Sequence, residues 1–148
     1  MPIVFITGAS SGFGKATAEK FAQAGYQLIL NARRLDRLEA LKTHLVSSYG
    51  SQVLLLPFDV RNREEVAQQL DNMPAPWQKI DVLVNNAGLA AGRDAVQDGS
   101  MDDWELMIDT NLKGLMYVSK WVVKGMMEQK SGHIINISSL AGQEVYPQ

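Results

Sequence analysis

The sequence predicts an α/β fold built as a doubly wound parallel sheet, and three observations carry that expectation. Short, β-branched apolar runs alternate with longer helical stretches along the chain, a pattern that puts crossover helices between parallel strands. Most of these runs, IVFI and VLLLPF best of all, are almost continuously apolar, as strands covered on both faces must be. A turn of small residues, TGASSGFG, joins the first run to the first helical stretch.

The elements follow in order. Residues 3–7 form the first expected strand, and a helix follows over 14–24, with Ala16 and Phe21 on its apolar face and Gly25 as its stop. A strand over 27–31 leads through NARRLD into a helix over 35–48; a strand over 52–57 and a helix over 64–72 come next. PAPWQKID is read as a loop feeding a strand over 82–85, and LAAGRDAVQDGS as a longer loop, suited to forming a wall beside a site. One helical stretch is expected over 101–130, opened by a capping-box-like Ser100 and Asp103. Its wide apolar stripe, Trp104, Met107, Ile108, Leu112, Leu115, Val118, Val122 and Met126, reads as core. A fifth strand is expected over 133–138. No repeat, low-complexity segment or linker divides the 148 residues, which fit a single domain.

Composition narrows the function. With 46% apolar and 20% charged residues the chain is an ordinary globular one, and a net charge of −2 gives no basic patch for nucleic acid or an anionic membrane. Small-molecule chemistry is the expectation. Without cysteine there is no disulfide framework, thiolate zinc site or cysteine nucleophile. The first residues carry no basic region or small-residue cleavage site, and the apolar runs fall far short of the ~20 residues a membrane helix needs. A soluble, cytoplasmic protein is expected. His44 and His133 have no second ligand at metal-binding spacing, so no metal is expected.

The glycine turn invites two readings. A P-loop needs a lysine followed by Ser or Thr and a first glycine separated from the second by four residues; here Ala16 follows Lys15 and Ala9 stands where that glycine belongs. The spacing instead matches a dinucleotide site of Rossmann type. Gly8 lets the chain turn, Gly12 lets backbone amides approach a pyrophosphate, and Gly14 lets the helix pack closely. Thr7, Ser10, Ser11 and Phe13 complete the cofactor-binding turn, the two serines offering hydroxyls to phosphate oxygens. At the end of the second strand, Ala32 replaces the carboxylate that would grip the 2′-hydroxyl of NAD, and Arg33 and Arg34 follow. Guanidinium groups suit a 2′-phosphate, so the cofactor expected is NADP. A methyltransferase, the competing reading for such a sheet, would not need the arginine pair.

With these motifs and DV at Asp59 and Val60, NNAG at Asn85 to Gly88, DTNLKG around Asn111 and HIINISSLAG, the chain resembles the short-chain dehydrogenase/reductase family. It is most similar to the NADP-dependent branch acting on serine and related 3-hydroxy acids. The resemblance implies that Asp59 bonds the adenine amino group, with a backbone contact from Val60. It places Asn86 and Ala87 beside the adenine ribose, counts Gly88 among the cofactor-binding residues and has Asn85 brace the strand ends. Asn is a poor residue inside a helix, and the resemblance implies that Asn111 distorts its helix and holds a water in a proton relay. Ser139 is implied as the catalytic serine that holds the substrate oxygen, with Ser138 as its structural neighbour.

The reaction so implied moves a hydride between the nicotinamide and a carbon bearing a hydroxyl or carbonyl, in a small hydroxy or carbonyl substrate. Its proton is handled by a tyrosine whose pKa is lowered by a lysine four residues on. No such pair stands in the 148 residues: Leu30 follows Tyr26 at that spacing, Val53 follows Tyr49, Trp121 follows Tyr117, and Tyr146 is two residues from the last. Two expectations result. Either these residues are the front of a longer NADP-dependent oxidoreductase, or they form a dinucleotide-binding module without catalysis. Family members pair the long helix across subunits, so a homo-oligomer, dimer or tetramer, is implied.

Overall fold

The computed structural model describes residues 1–144. Five strands, β1 (Ile3–Ile6), β2 (Gln27–Asn31), β3 (Val53–Leu56), β4 (Val82–Asn85) and β5 (His133–Asn136), pair in parallel in the order β3-β2-β1-β4-β5. The chain steps outward from β1 to β3, returns to pair β4 on the other side of β1, and steps outward again. Ligands in such sheets lie at this reversal, outside the carboxyl ends of the strands. The helices are α1 (Gly12–Gln23), α2 (Leu35–Tyr49), α3 (Arg63–Asp71), α4 (Met101–Ile108) and α5 (Leu115–Gln129).

Alternation along β1 explains why the strands are apolar throughout. Val4 and Ile6 face one core with Ala18 and Ala22 of α1 and Leu38, Leu41 and Leu45 of α2. Ile3 and Phe5 face the other, with Val66 and Leu70 of α3 and Val118, Val122 and Met126 of α5. All four side chains of β1 are buried, two on each face, which no alternating polar pattern could achieve. Asn31, at the end of β2, is buried, and its amide donates to the carbonyls of Leu56 and Phe58 at 3.0 Å each, tying the end of β3 to β2.

Four expectations are corrected. The strands stop short of the expected bounds at positions 7, 52, 57, 137 and 138, although Thr7 and Ile137 still donate backbone hydrogen bonds to Val84 and Asn85 and Gln52 accepts one from Leu28. Ala16 is exposed; α1 packs instead through Gly14, Ala18 and Ala22, a four-residue spacing of small residues that brings it close to the sheet. The stretch over 101–130 is not one α-helix, since Asp109–Gly114 widens into a π-helical segment between α4 and α5. Its stripe is not all core: Val118, Val122 and Met126 are buried, whereas Ile108 and Leu112 face solvent. The Ser100 cap is present, its hydroxyl accepting from Asp103 N at 3.4 Å.

Candidate functional site

A cleft of about 860 Å³ opens where the sheet order reverses, bounded by the ends of all five strands, the glycine turn and the π-helical segment. Thr7 is the hub of its floor. Buried at the end of β1, its hydroxyl oxygen accepts from the amides of Asn86 and Ala87 at 3.0 Å each. Asn86 returns the link, its side-chain amide donating to the carbonyls of Thr7 at 3.0 Å and Gly8 at 3.1 Å. The turn after β1 is thereby fixed by the turn after β4, which the sequence places 79 residues away.

Each glycine of the turn has a separate reason. Gly8 has φ +65°, and a Cβ there would lie 2.8 Å from Ala87 Cα; at Gly14 it would lie 2.3 Å from the Gly8 carbonyl oxygen and 2.5 Å from Asn86 Nδ2. Gly12 has φ +54°, yet a Cβ there would meet nothing within 4 Å. Its requirement is conformational, and the space above it is open. The helix begins at Gly12, and Ser11, at its N-cap, makes no side-chain cap, so the amides of the first turn point outward without intrahelical acceptors. Ser10, Ser11 and Phe13 line the cleft, Phe13 with 80% of its surface exposed.

Beyond β2, Ala32 is buried while Arg33 and Arg34 are exposed and line the same cleft. Asp59 and Val60 border it as well. The Asp59 carboxylate is clamped by Arg61, which sequence reasoning passed over: Arg61 Nη2 donates to Oδ2 at 2.6 Å, Nε donates to both oxygens at 3.0 Å, and the Arg61 amide donates to Oδ1 at 3.0 Å. The Arg61 hydrogen bond is the main cause that holds the Asp59 carboxyl below the usual carboxylate range, against partial burial, with a smaller contribution from Arg33. An Asp two residues before an arginine is the local signal, since Asp side chains bond the backbone two positions on.

Asn111 sits in the π-helical segment, and its side chain is engaged at both ends by one residue. Leu89 N donates to Oδ1 at 2.9 Å and Asn111 Nδ2 donates to Leu89 O at 2.8 Å. The long connection after β4 is thereby stitched to the helix that follows it. Gly114 allows the segment to press against β3's exit, where a Cβ would stand 2.7 Å from Val60 Cγ2. Asn85 does brace the strand ends: its amide donates to Asn136 Oδ1 at 2.8 Å and Ser119 Oγ at 2.9 Å. Gly88 lines the cleft beside Asn111, and Ser138 and Ser139 line it beyond β5. The Ser139 hydroxyl accepts from Ala141 N at 3.2 Å, capping a short 3₁₀ turn over Leu140–Gly142. Tyr146 lies outside the described residues. Among the described residues no cluster of three or more His, Cys, Asp or Glu could hold a metal, and no helix is long and apolar enough to cross a membrane.

A parallel sheet whose order reverses beside a glycine turn and an open helix start defines a doubly wound protein of Rossmann type. The chain belongs to the short chain dehydrogenase family, whose model matches residues 2–148. The NADP-dependent 3-hydroxy acid dehydrogenase of Salmonella typhi is 49% identical to it over 144 residues, which are 97% of this chain and 56% of that protein. Serine dehydrogenase from Escherichia coli superimposes with a TM-score of 0.91 at 46% identity, covering 97% of this chain and 65% of that one. An NAD⁺-bound xylitol dehydrogenase superimposes with a TM-score of 0.93 at 31% identity, covering 99% of this chain and 56% of that one. The chain thus spans little more than half the length of the curated relatives it matches.

Proposed function

We propose that the protein is an NADP-dependent oxidoreductase that transfers a hydride between NADP(H) and a small hydroxy or carbonyl compound such as serine or another 3-hydroxy acid. One observation carries this reading: the open helix start at Gly12 and the exposed Arg33 and Arg34 border one cleft, and no carboxylate stands at the end of β2. A relative with bound NAD⁺ shares the fold, so the choice of cofactor rests on such local residues rather than on the sheet. The similarity to an NADP-dependent 3-hydroxy acid dehydrogenase supports both the cofactor and the substrate class.

The residues fit a dinucleotide. Outward amides of the α1 first turn, with the Ser10 and Ser11 hydroxyls, bind the pyrophosphate. Arg33 and Arg34 take the 2′-phosphate, while Asp59, Val60, Asn86 and Ala87 line the adenosine end. When bound, the nicotinamide supplies or accepts the hydride. Ser139 orients the substrate, because its hydroxyl accepts from Ala141 N and keeps its own proton to donate to a substrate oxygen. Asn111 keeps the wall at Leu89 in place for both ligands.

The competing reading is cofactor binding without turnover. Calorimetric titration with NADPH and NADH, alongside turnover of a panel of 3-hydroxy acids, separates the two. The cofactor assignment predicts that Arg33→Ala weakens NADPH binding at least about tenfold while leaving NADH binding within about twofold, the loss expected of a charge-assisted phosphate contact. Equal losses for the two cofactors refute the 2′-phosphate role. The exposed Ile108 and Leu112 support a homo-oligomer built through α4 and α5. A chain without cysteine that uses a reducing cofactor suits the cytoplasm.

A further inference from the structure

Arg61 belongs to none of the motifs that define the fold, yet its side chain lines the cleft and directs its hydrogen bonds to the Asp59 carboxylate, with the Asp109 charge acting on it from farther off. The pair is only partly screened, with 34% of the Arg61 side chain and 24% of the Asp59 side chain exposed. Arg33 lies close enough for its charge to act on Asp59 as well. Asp59 therefore brings a negative charge to the cleft wall that Arg33 and Arg34 make positive. A phosphate monoester brings about −1.5 to −2 charges of its own. Left bare, the carboxylate repels that group and competes for the arginines.

We propose that Arg61 is a specificity-determining positioning residue: by clamping Asp59 it cancels the carboxylate's charge, leaving Arg33 and Arg34 to the 2′-phosphate of NADP. The inference rests on the NADP reading above. It assigns Arg61 no contact with the cofactor. Its effect runs through Asp59, and it acts on NADP and not on NAD because only the former carries the extra charge.

The test is a double-mutant cycle on the 148-residue chain, with NADPH and NADH dissociation constants measured for the wild type, Arg61→Gln, Asp59→Asn and the double variant at low and high salt. Returning one uncompensated negative charge to the cleft wall is expected to lower the NADPH to NADH preference several-fold in Arg61→Gln, an effect that shrinks at high salt. Asp59→Asn, which leaves Arg61 uncompensated, is expected to raise the preference, and the double variant, neutral like the clamped pair, to return it to the wild-type value. A double variant that keeps the full Arg61→Gln loss relative to wild type means Arg61 touches the phosphate itself, and an equal loss for both cofactors means it only supports the fold; either overturns the proposal. Arg61→Lys, which keeps the charge without the fork, is expected to retain the preference, and its failure to do so counts against charge cancellation even if Arg61→Gln does not fold. A wild type without NADPH preference removes the underlying reading and this proposal together, whereas a preference that survives in Arg61→Gln removes this proposal alone.

Discussion

At the residue scale, one methyl group separates a working turn from a blocked one. Alanine at Gly14 would set its Cβ against the Gly8 carbonyl and the Asn86 amide, both already bonded and unable to yield. Gly14→Ala is expected to cost about 3 kcal/mol in urea denaturation, the upper end for overpacking, and a loss below about 1 kcal/mol would contradict this tight contact. Gly12→Ala is the control: it meets no atom, pays about 1–2 kcal/mol for its left-handed backbone, and fills the space a phosphate needs. Asp59 supplies a pH signature. Its folded pKa is depressed by Arg61, so its stabilisation is complete above the unfolded value near ~3.9 and is lost as pH falls through the folded pKa. Glu65, which accepts from Asp59 N, and Arg33 also face this group. The stability gap between wild type and Arg61→Gln should be present at pH 7 and close at strongly acid pH; a gap independent of pH would show that packing rather than charge is at work.

At the element scale, the π-helical segment fixes the far wall of the cleft. Asn111→Ala removes two hydrogen bonds to Leu89, at 2.9 and 2.8 Å, and should cost about 1–3 kcal/mol and speed amide exchange at Leu89. Unchanged exchange at that amide would mean the connection is held by other contacts. Asn111 stands out in the sequence as a residue poorly suited to a helix interior, and the helix does widen around it. Its partner was not legible there. What sets the segment's position is the fit of Gly114 against Val60, 54 residues apart by numbering and brought together only by the sheet. Of the apolar stripe, Val118, Val122 and Met126 enter the core while Ile108 and Leu112 do not, and Met116 one turn on from Leu112 is exposed as well.

At the scale of the whole molecule, Ile108, Leu112 and Met116 keep 48%, 57% and 63% of their surface exposed at a four-residue spacing, forming an apolar ridge along one side of the α4 to α5 rod. Burying that ridge against a second copy is the simplest way to remove it from water, as the oligomer reading requires. Leu112→Lys is expected to lower the mass measured by light scattering to that of a monomer with little loss of secondary structure; a wild type that is already monomeric refutes the assembly. By itself the sequence determined the alternation of strands and helices, the glycine turn and the arginine pair, because each is written in neighbours within a few residues. Only the tertiary structure decided that Asn86 braces the glycine turn, that Asn111 grips Leu89 and which half of the helical stripe is buried. Those contacts span 79 and 22 residues, and they exist because the sheet order seats β4 beside β1.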